Sequence, residues 1–198
     1  VKKNQKESIN YIRWAADKGC IQAITLYSEM LKNGKGVSQN NENAAYYLKK
    51  AADKGDVDSM VSYASMMDKG AKGLKKNKDE SVKYYKMAAD SGNADSMYIL
   101  GSKYEDGDGV EEDKINAVKY YELGAENDNT DSMFKLATLK KEGVGTALDK
   151  KGSAELFKNA ADKGHIRSMS SYGKMLLDGD GVDEDAEEAD RYYRMAID

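Results

Sequence analysis

The residue types that most often carry out catalysis are scarce in this chain. Its 198 residues include one cysteine, Cys20, and one histidine, His165. A thiol nucleophile needs a base such as histidine within hydrogen-bond reach, and a zinc site needs several Cys or His ligands. Single copies of each, far apart in the sequence, supply neither arrangement. We therefore expect a protein that is not an enzyme and that binds no metal or cofactor.

Two acidic loops resemble part of a calcium-binding EF-hand loop. Residues 106–109 and 178–181 both read Asp-Gly-Asp-Gly, and Glu187 lies at the twelfth place of the second loop. The first ligand position, however, is Tyr104 in one loop and Leu176 in the other, and neither side chain coordinates calcium. The pattern favours loops that connect helices and carry solubilising charge.

Four tyrosine pairs could stack with nucleic-acid bases. The chain has a net charge of −4, from 31 basic and 35 acidic residues. No basic track accompanies the pairs to bind phosphates, so we expect no nucleic-acid binding. Instead, one tyrosine of each pair should lie in the core and the other should cover the stem of a neighbouring side chain. The pairs are Tyr46-Tyr47, Tyr84-Tyr85, Tyr120-Tyr121 and Tyr192-Tyr193.

A methionine-rich column of residues has two interpretations. Methionine adapts to many partners, so the column could form a binding strip. Its helical spacing favours packing between helices instead. The column consists of Ile24, Met60, Met97, Met133 and Met169.

A repeat positions all of these residues. An Ala-Ala pair at 15–16 recurs at 51–52, 88–89 and 160–161, with Gly-Ala at 124–125, in steps of 36 or 37 residues. A fixed period of this length is typical of stacked units that contact only their neighbours. Cys20 and His165 occupy equivalent positions four units apart, which is too far for contact.

Each unit is predicted to contain two helices, A and B. In the third unit, the apolar face of helix A (94–105) is spaced as in an α-helix, and helix B (114–126) repeats that spacing. Helix B is followed by a glycine that suits a left-handed helix end, and helix A by a pair of glycines. The glycines after helix B are Gly19, Gly55, Gly92 and Gly164. The predicted N-caps of helix A are Asp56, Asn93 and Asn129.

The chain gives no sign of export or membrane insertion. No run of about 18 apolar residues occurs, and Val1 precedes a polar segment rather than the apolar core of a signal peptide. A single cysteine favours a reducing compartment, so we expect a cytoplasmic protein. Because the chain begins without methionine, part-way through a unit, we also expect a fragment of a longer protein whose own start could carry a targeting signal.

The units resemble the Sel1-like repeat, a relative of the tetratricopeptide repeat. The pattern is a small residue, Leu-Gly, Tyr, Gly-x-Gly-Val, Asp, Ala, and then an aromatic residue with Ala-Ala. The resemblance covers nearly the whole chain, although the usual proline after Gly-Val is absent. The third unit matches at Ser96, Leu100-Gly101, Tyr104, Gly107, Gly109-Val110, Asp113, Ala117, Tyr120-Tyr121 and Ala125.

The resemblance implies an all-α, right-handed superhelix (solenoid) of about five helix-turn-helix repeats, with the A helices on its concave side. It also implies one domain over residues 1–198. A partial repeat (1–19) precedes repeats 20–55, 56–92, 93–128, 129–164 and 165–198. Members of the family generally act as adaptors in protein complexes and signalling, and not as catalysts.

By the related tetratricopeptide geometry, binding residues lie along one face of the A helices. These positions vary from repeat to repeat, whereas the core columns do not. They are apolar in the middle of the array and basic at its end. The first repeat has Gln22, Thr25, Leu26 and Glu29 here. The predicted peptide-binding residues are Asp58, Val61, Ser62, Ser65, Asp95, Tyr98, Ile99, Ser102, Asp131, Phe134, Lys135, Thr138, Arg167 and Lys174.

Aromatic anchors beside spaced charges suit an extended or helical peptide with an acidic end. We therefore predict an adaptor or scaffold that binds a peptide or protein segment in this groove. A solvated face with scattered apolar residues is the plain alternative. Two other functions stay open: a spacer or self-assembly module that uses its terminal repeats, and a solenoid that binds carbohydrate or another small ligand. The Lys-, Asn- and Asp-rich composition resembles protist members of the family, some of which join such arrays to kinase domains.

Overall fold

The computed structural model describes residues 2–197, which form eleven α-helices and no β-strand. The predicted helices 94–105 and 114–126 match the observed ones to within one residue. The helices are α1 (Lys2–Asp17), α2 (Ile21–Asn33), α3 (Asn41–Ala52), α4 (Val57–Lys69), α5 (Lys78–Asp90), α6 (Ala94–Asp106), α7 (Lys114–Glu126), α8 (Thr130–Glu142), α9 (Lys150–Asp162), α10 (Ile166–Asp178) and α11 (Ala186–Met195).

The chain divides into two compact units at residue 91. The first unit contains α1 to α5, and the second contains α6 to α11. Within each unit, every helix packs against the helix that follows it along the chain. Such nearest-neighbour packing is typical of stacked hairpins, because each hairpin buries its apolar face against the adjacent ones rather than around a common centre.

Side-chain caps begin most of the helices. Asp56, Asn93 and Asn129 accept a hydrogen bond from a backbone N–H in the first turn of α4, α6 and α8, which confirms the predicted caps. His165 does the same for α10 through Nδ1, while Cys20 makes no such bond before α2. A cap of this kind contributes about 1 kcal/mol. The B helices begin at a second cap column: Asn40, Asn77, Asp113, Asp149 and Asp185.

The helix ends confirm the predicted glycine positions. Gly164 follows α9 with a φ of +91°, a left-handed conformation that costs a residue with a side chain about 1–2 kcal/mol. Asp128 has the equivalent place after α7 and adopts a φ of +63°. It is the one non-glycine residue with positive φ between residues 2 and 197.

The core contains the methionine column and more of the tyrosines than expected. The column from Ile24 to Met169 is buried throughout, which confirms that it packs between helices. The prediction that one tyrosine of each pair covers a neighbour is wrong for two pairs. Both Tyr84 and Tyr85 are buried, and so are both Tyr120 and Tyr121. In the third repeat, Gly101 leaves room for the Tyr121 ring, and the Tyr120 ring stacks on Tyr104 of helix A with centroids 5.4 Å apart.

Consecutive B helices are also joined by tyrosine–aspartate hydrogen bonds. The hydroxyl of Tyr47 (α3) donates to Asp17 (α1) at 2.5 Å, and the hydroxyl of Tyr192 (α11) donates to Asp162 (α9) at 2.6 Å. Burial and the Asp17 carboxylate raise the pKa of Tyr47 to about 12, so the phenol stays protonated and keeps donating. The bond therefore fixes the register of one repeat on the next.

Candidate functional site

The predicted binding residues lie on the A helices, on a surface that we call the A-helix face. In the second unit this face runs over α6, α8 and α10, and in the first unit over α2 and α4. Asp95 and Asp131 lie near the starts of α6 and α8, and both are exposed. Each contacts the cap residue of the following A helix: Asn129 Nδ2 donates to Asp95 at 2.9 Å, and His165 Nε2 lies 3.3 Å from Asp131.

The middle of the second unit's face is a polar cluster around Glu105. The Glu105 carboxylate accepts hydrogen bonds from the Tyr121 hydroxyl at 2.5 Å and from Lys135 Nζ at 2.9 Å. Ser102 Oγ lies 3.1 Å from the same hydroxyl. Burial alone would raise the pKa of Glu105, but the bonds from Tyr121 and Lys135 hold it below the usual value. The charge of Lys135 is therefore matched within the chain.

The two predicted aromatic anchors are half-buried and pack against the chain's own rings. The Tyr98 ring centroid lies 6.0 Å from that of Tyr121. The Phe134 ring lies 5.6 Å from Phe157 and 5.1 Å from His165. One part of each anchor ring contributes to the packing of the chain's own helices, and the other part faces solvent. Ile99 and Thr138 are likewise half-buried, and the Thr138 hydroxyl donates to the Phe134 carbonyl at 2.9 Å.

The basic end of the face is exposed. Arg167 and Lys174 lie on α10 with their side chains in solvent. Among the described residues, neither has a carboxylate within ion-pair distance. An external anion can therefore pair with these two positive charges of the second unit's face without displacing a carboxylate of the chain itself.

The first unit's face is more polar. Asp58 and Ser62 are exposed on α4, and Val61 and Ser65 are half-buried. Ser62 lines a cavity of about 270 Å³ together with Thr25 and Glu29 of α2. The structure thus brings predicted residues of neighbouring A helices together within each unit.

The acidic loops bind lysine side chains. Lys103 Nζ lies 2.9 Å from Asp108 Oδ2, and Asp180 pairs with both Lys141 and Lys150, at 2.9 and 2.8 Å. The hydrogen bonds from the two lysines lower the pKa of Asp180. Between residues 2 and 197, no group of three or more Cys, His, Asp or Glu side chains is arranged to bind a metal ion.

None of the helices within residues 2–197 combines the length and the apolar character that a membrane crossing needs.

Two polar networks went unrecognised in the sequence. Asp17, Asp53 and Asp162 form a column at the ends of the B helices, 30 or 31 residues before the tyrosines that bond them. That register was visible in the sequence. Glu105 and Lys135 lie 30 residues apart on different A helices, but only one repeat has this pairing. No repeated pattern could therefore have revealed it.

The comparisons with known proteins agree on one family. The Sel1 repeat model matches residues 21–56, 57–93, 94–129, 130–165 and 166–198. Comparison with curated proteins gave no match.

Among the solved structures that are similar over almost the whole chain are two repeat proteins at 25% identity or more. One is c5321, a protective antigen of uropathogenic Escherichia coli strains that displays an SLR fold. The TM-score is 0.89 at 28% identity, over 98% of this chain and 41% of that one. The other is a Sel1 repeat protein from Oxalobacter formigenes, with a TM-score of 0.76 at 25% identity, over 96% of this chain and 76% of that one. This chain thus spans about two fifths of the length of c5321.

These findings confirm the predicted all-α repeat fold. Five consecutive matches cover most of the sequence, and both structural neighbours are repeat proteins of the same kind. The chain belongs to the Sel1 repeat family.

Proposed function

We propose that this chain is a non-catalytic adaptor whose A-helix face binds a protein segment with an acidic end. Sel1 repeat proteins generally mediate protein–protein interactions and are generally non-catalytic. The observation that carries the proposal is the order in which exposed side chains follow one another along the A-helix face, from α6 through α8 to α10. Half-exposed Tyr98 and Phe134 are followed by exposed Arg167 and Lys174, which have no ion pair among the described residues.

This arrangement supports a peptide ligand on energetic grounds. At typical protein interfaces a few residues contribute most of the binding energy, and Trp, Tyr and Arg are enriched among them. Rim charges add specificity and speed association rather than adding much affinity. A segment with an apolar residue near Phe134 and carboxylates near Arg167 and Lys174 would satisfy both requirements. Lys135 contributes less, because Glu105 already pairs with it.

Reversal of the two exposed charges tests this function without disturbing the core. Peptides selected from a random display library against the wild-type chain should carry Asp or Glu near one end. The double variant Arg167→Glu/Lys174→Glu should bind them about tenfold more weakly, measured by calorimetry at low salt. The control Lys86→Glu/Lys119→Glu makes the same charge change on exposed positions of the B helices. Equal losses in both variants, or no acidic preference in the library, would contradict the proposal.

Self-association is a second candidate function, favoured by two exposed aromatic side chains on α1. Tyr11 is 74% exposed and Trp14 is 62% exposed. Tyr11 occupies the position of Tyr47, which is buried one repeat later. Neighbouring exposed apolar side chains mark contact surfaces more often than single exposed apolar side chains do.

Analytical ultracentrifugation over a wide concentration range tests this second function. The wild-type chain should form dimers that the double variant Tyr11→Lys/Trp14→Lys loses. Tyr46→Lys is the matched control, because Tyr46 is also exposed, at 60%, but lies on α3. A wild-type chain that stays monomeric throughout would exclude self-association.

A further inference from the structure

A small cavity opens on the A-helix face of the first unit, between α2, α3 and α4. Its volume is about 270 Å³. Pockets for small-molecule ligands usually start at about 300 Å³. This cavity is therefore suited to a single large side chain. Its walls include Thr25, Ser28, Glu29, Lys32, Leu48 and Ser62.

Comparison with the other repeats explains why the cavity exists. The position of Leu48 holds Tyr85, Tyr121, Phe157 and Tyr193 in the repeats that follow. In the third repeat, Tyr121 is completely buried, and it packs so closely on Gly101 that a Cβ there would lie 2.5 Å from the ring. Leu48 is shorter and has no ring. The first repeat therefore lacks the aromatic group that fills this space elsewhere.

The wall opposite Leu48 leaves room for a ring. Ser28 stands at the position of Gly101, so its Cβ and hydroxyl narrow the space. The second repeat nevertheless combines Ala64 with Tyr85 at the same two positions and buries both. A Cβ at this position is thus compatible with a tyrosine ring beside it.

The polar groups at the rim suit a phenol hydroxyl. The Tyr121 hydroxyl contacts Ser102 and Glu105, and the first repeat has Glu29 and Lys32 at these two positions. A carboxylate and a lysine together offer the phenol one acceptor and one donor.

The chain already uses this combination for a tyrosine of its own. Lys49 Nζ donates to the Tyr84 hydroxyl at 2.6 Å, and that hydroxyl donates to Asp53 Oδ1 at 2.5 Å. A phenol between Lys32 and Glu29 would have the same two kinds of partner.

We propose that this cavity binds the side chain of a tyrosine from the partner segment. The ring would fill the space beside Leu48, and its hydroxyl would donate to Glu29 and accept from Lys32. This inference rests on the proposed function, a protein segment on the A-helix face, and names one residue of that segment.

Small probes of the tyrosine side chain test the inference directly on the whole chain. p-Cresol should give saturable NMR shifts at the Leu48 methyls, with a Kd on the order of 1 mM, as expected for a ligand of this size. Toluene, which lacks the hydroxyl, should bind at least about fivefold more weakly. The blocked peptide acetyl-Ala-Tyr-Ala-amide should bind at least as tightly as p-cresol. A tyrosine of a partner segment enters the cavity with its backbone attached, so the opening of the cavity must accommodate that backbone.

A variant that fills the cavity supplies the structural control. Ser28→Ala/Leu48→Tyr copies the pair found in the second repeat, so it should keep or raise the melting temperature and weaken p-cresol binding by at least about tenfold. Leu48→Met, which conserves volume, should change the Kd by less than about twofold.

Several outcomes would overturn the inference. They are absence of saturable binding, equal binding by the filled variant, equal affinity for toluene and p-cresol, and exclusion of the blocked peptide. None of these results depends on Arg167 or Lys174. The charge-reversal experiment and this one can therefore fail separately, which distinguishes the loss of this inference from the loss of the proposed function.

Discussion

Gly181→Ala is expected to destabilise the chain by about 2–5 kcal/mol, through two effects that act together. Gly181 has a φ of +84°, which costs alanine about 1–2 kcal/mol. A Cβ there would also overlap the carbonyl oxygen of Lys150 and lie 2.5 Å from its carbonyl carbon. Backbone at the first turn of α9 cannot move as a side-chain end can, so overpacking adds about 1–3 kcal/mol. The melting temperature should fall by about 4–20 °C.

Gly164→Ala is the matched control, because it shares the strain but not the overlap. Gly164 has a φ of +91°, and a Cβ there would meet nothing within 4 Å. It should cost about 1–2 kcal/mol, which is the strain alone. Urea unfolding of both variants measures the difference. Equal costs would mean that the loop before α11 adjusts freely and that the close approach of Gly181 to Lys150 has no energetic weight.

The sequence predicted those features of the fold that recur in most of the repeats. The glycine ends, the Asp and Asn caps and the buried methionine column each recur at a fixed period, so five copies of weak local signals reinforce one another. The helix bounds follow from the same signals. The burial of both tyrosines in two of the pairs was missed because it depends on contacts with helix A, such as the space that Gly101 leaves for Tyr121 and the stacking of Tyr104 on Tyr120.

The candidate site was less predictable for a related reason. Its residues were chosen because they vary between repeats, and variation gives no register from which to infer contacts. Lys135 was predicted to be a binding charge, but it pairs with Glu105. The rings of Tyr98 and Phe134 were predicted as anchors for a partner, but each also packs against a ring of the chain's own core. The cavity beside Leu48 results from a missing ring, and its detection needed the geometry of the repeats that have one. That the predicted residues on the A-helix face bind a peptide stays a prediction.

Tyr121→Phe should destabilise the chain by about 1.5–3 kcal/mol at pH 7, since it removes a buried hydrogen bond to a charged group. The phenylalanine ring should fit in place of the tyrosine ring, because Phe157 occupies the same position one repeat later and is buried. Tyr104→Phe is the control: the Tyr104 hydroxyl has no hydrogen-bond partner among the described residues, so its loss should cost less than about 0.5 kcal/mol. Tyr121→Leu, which copies Leu48, should cost more than Tyr121→Phe, because it also leaves a cavity.

The effect of Tyr121→Phe should depend on pH in a definite direction. In the folded chain the pKa of Glu105 lies below its usual value of 4.5, so the stabilisation it provides is present above that pH. It is lost as pH falls through the folded-state pKa, because the protonated carboxyl no longer attracts the Tyr121 hydroxyl or Lys135 as strongly. The cost of Tyr121→Phe, measured by urea unfolding from pH 7 down to the lowest pH at which the chain stays folded, should therefore fall once Glu105 becomes protonated, below pH 4.5. A cost that stays constant while NMR shows Glu105 becoming protonated would show that Tyr121 stabilises the second unit through its ring and Ser102, and that Glu105 is held by Lys135 alone.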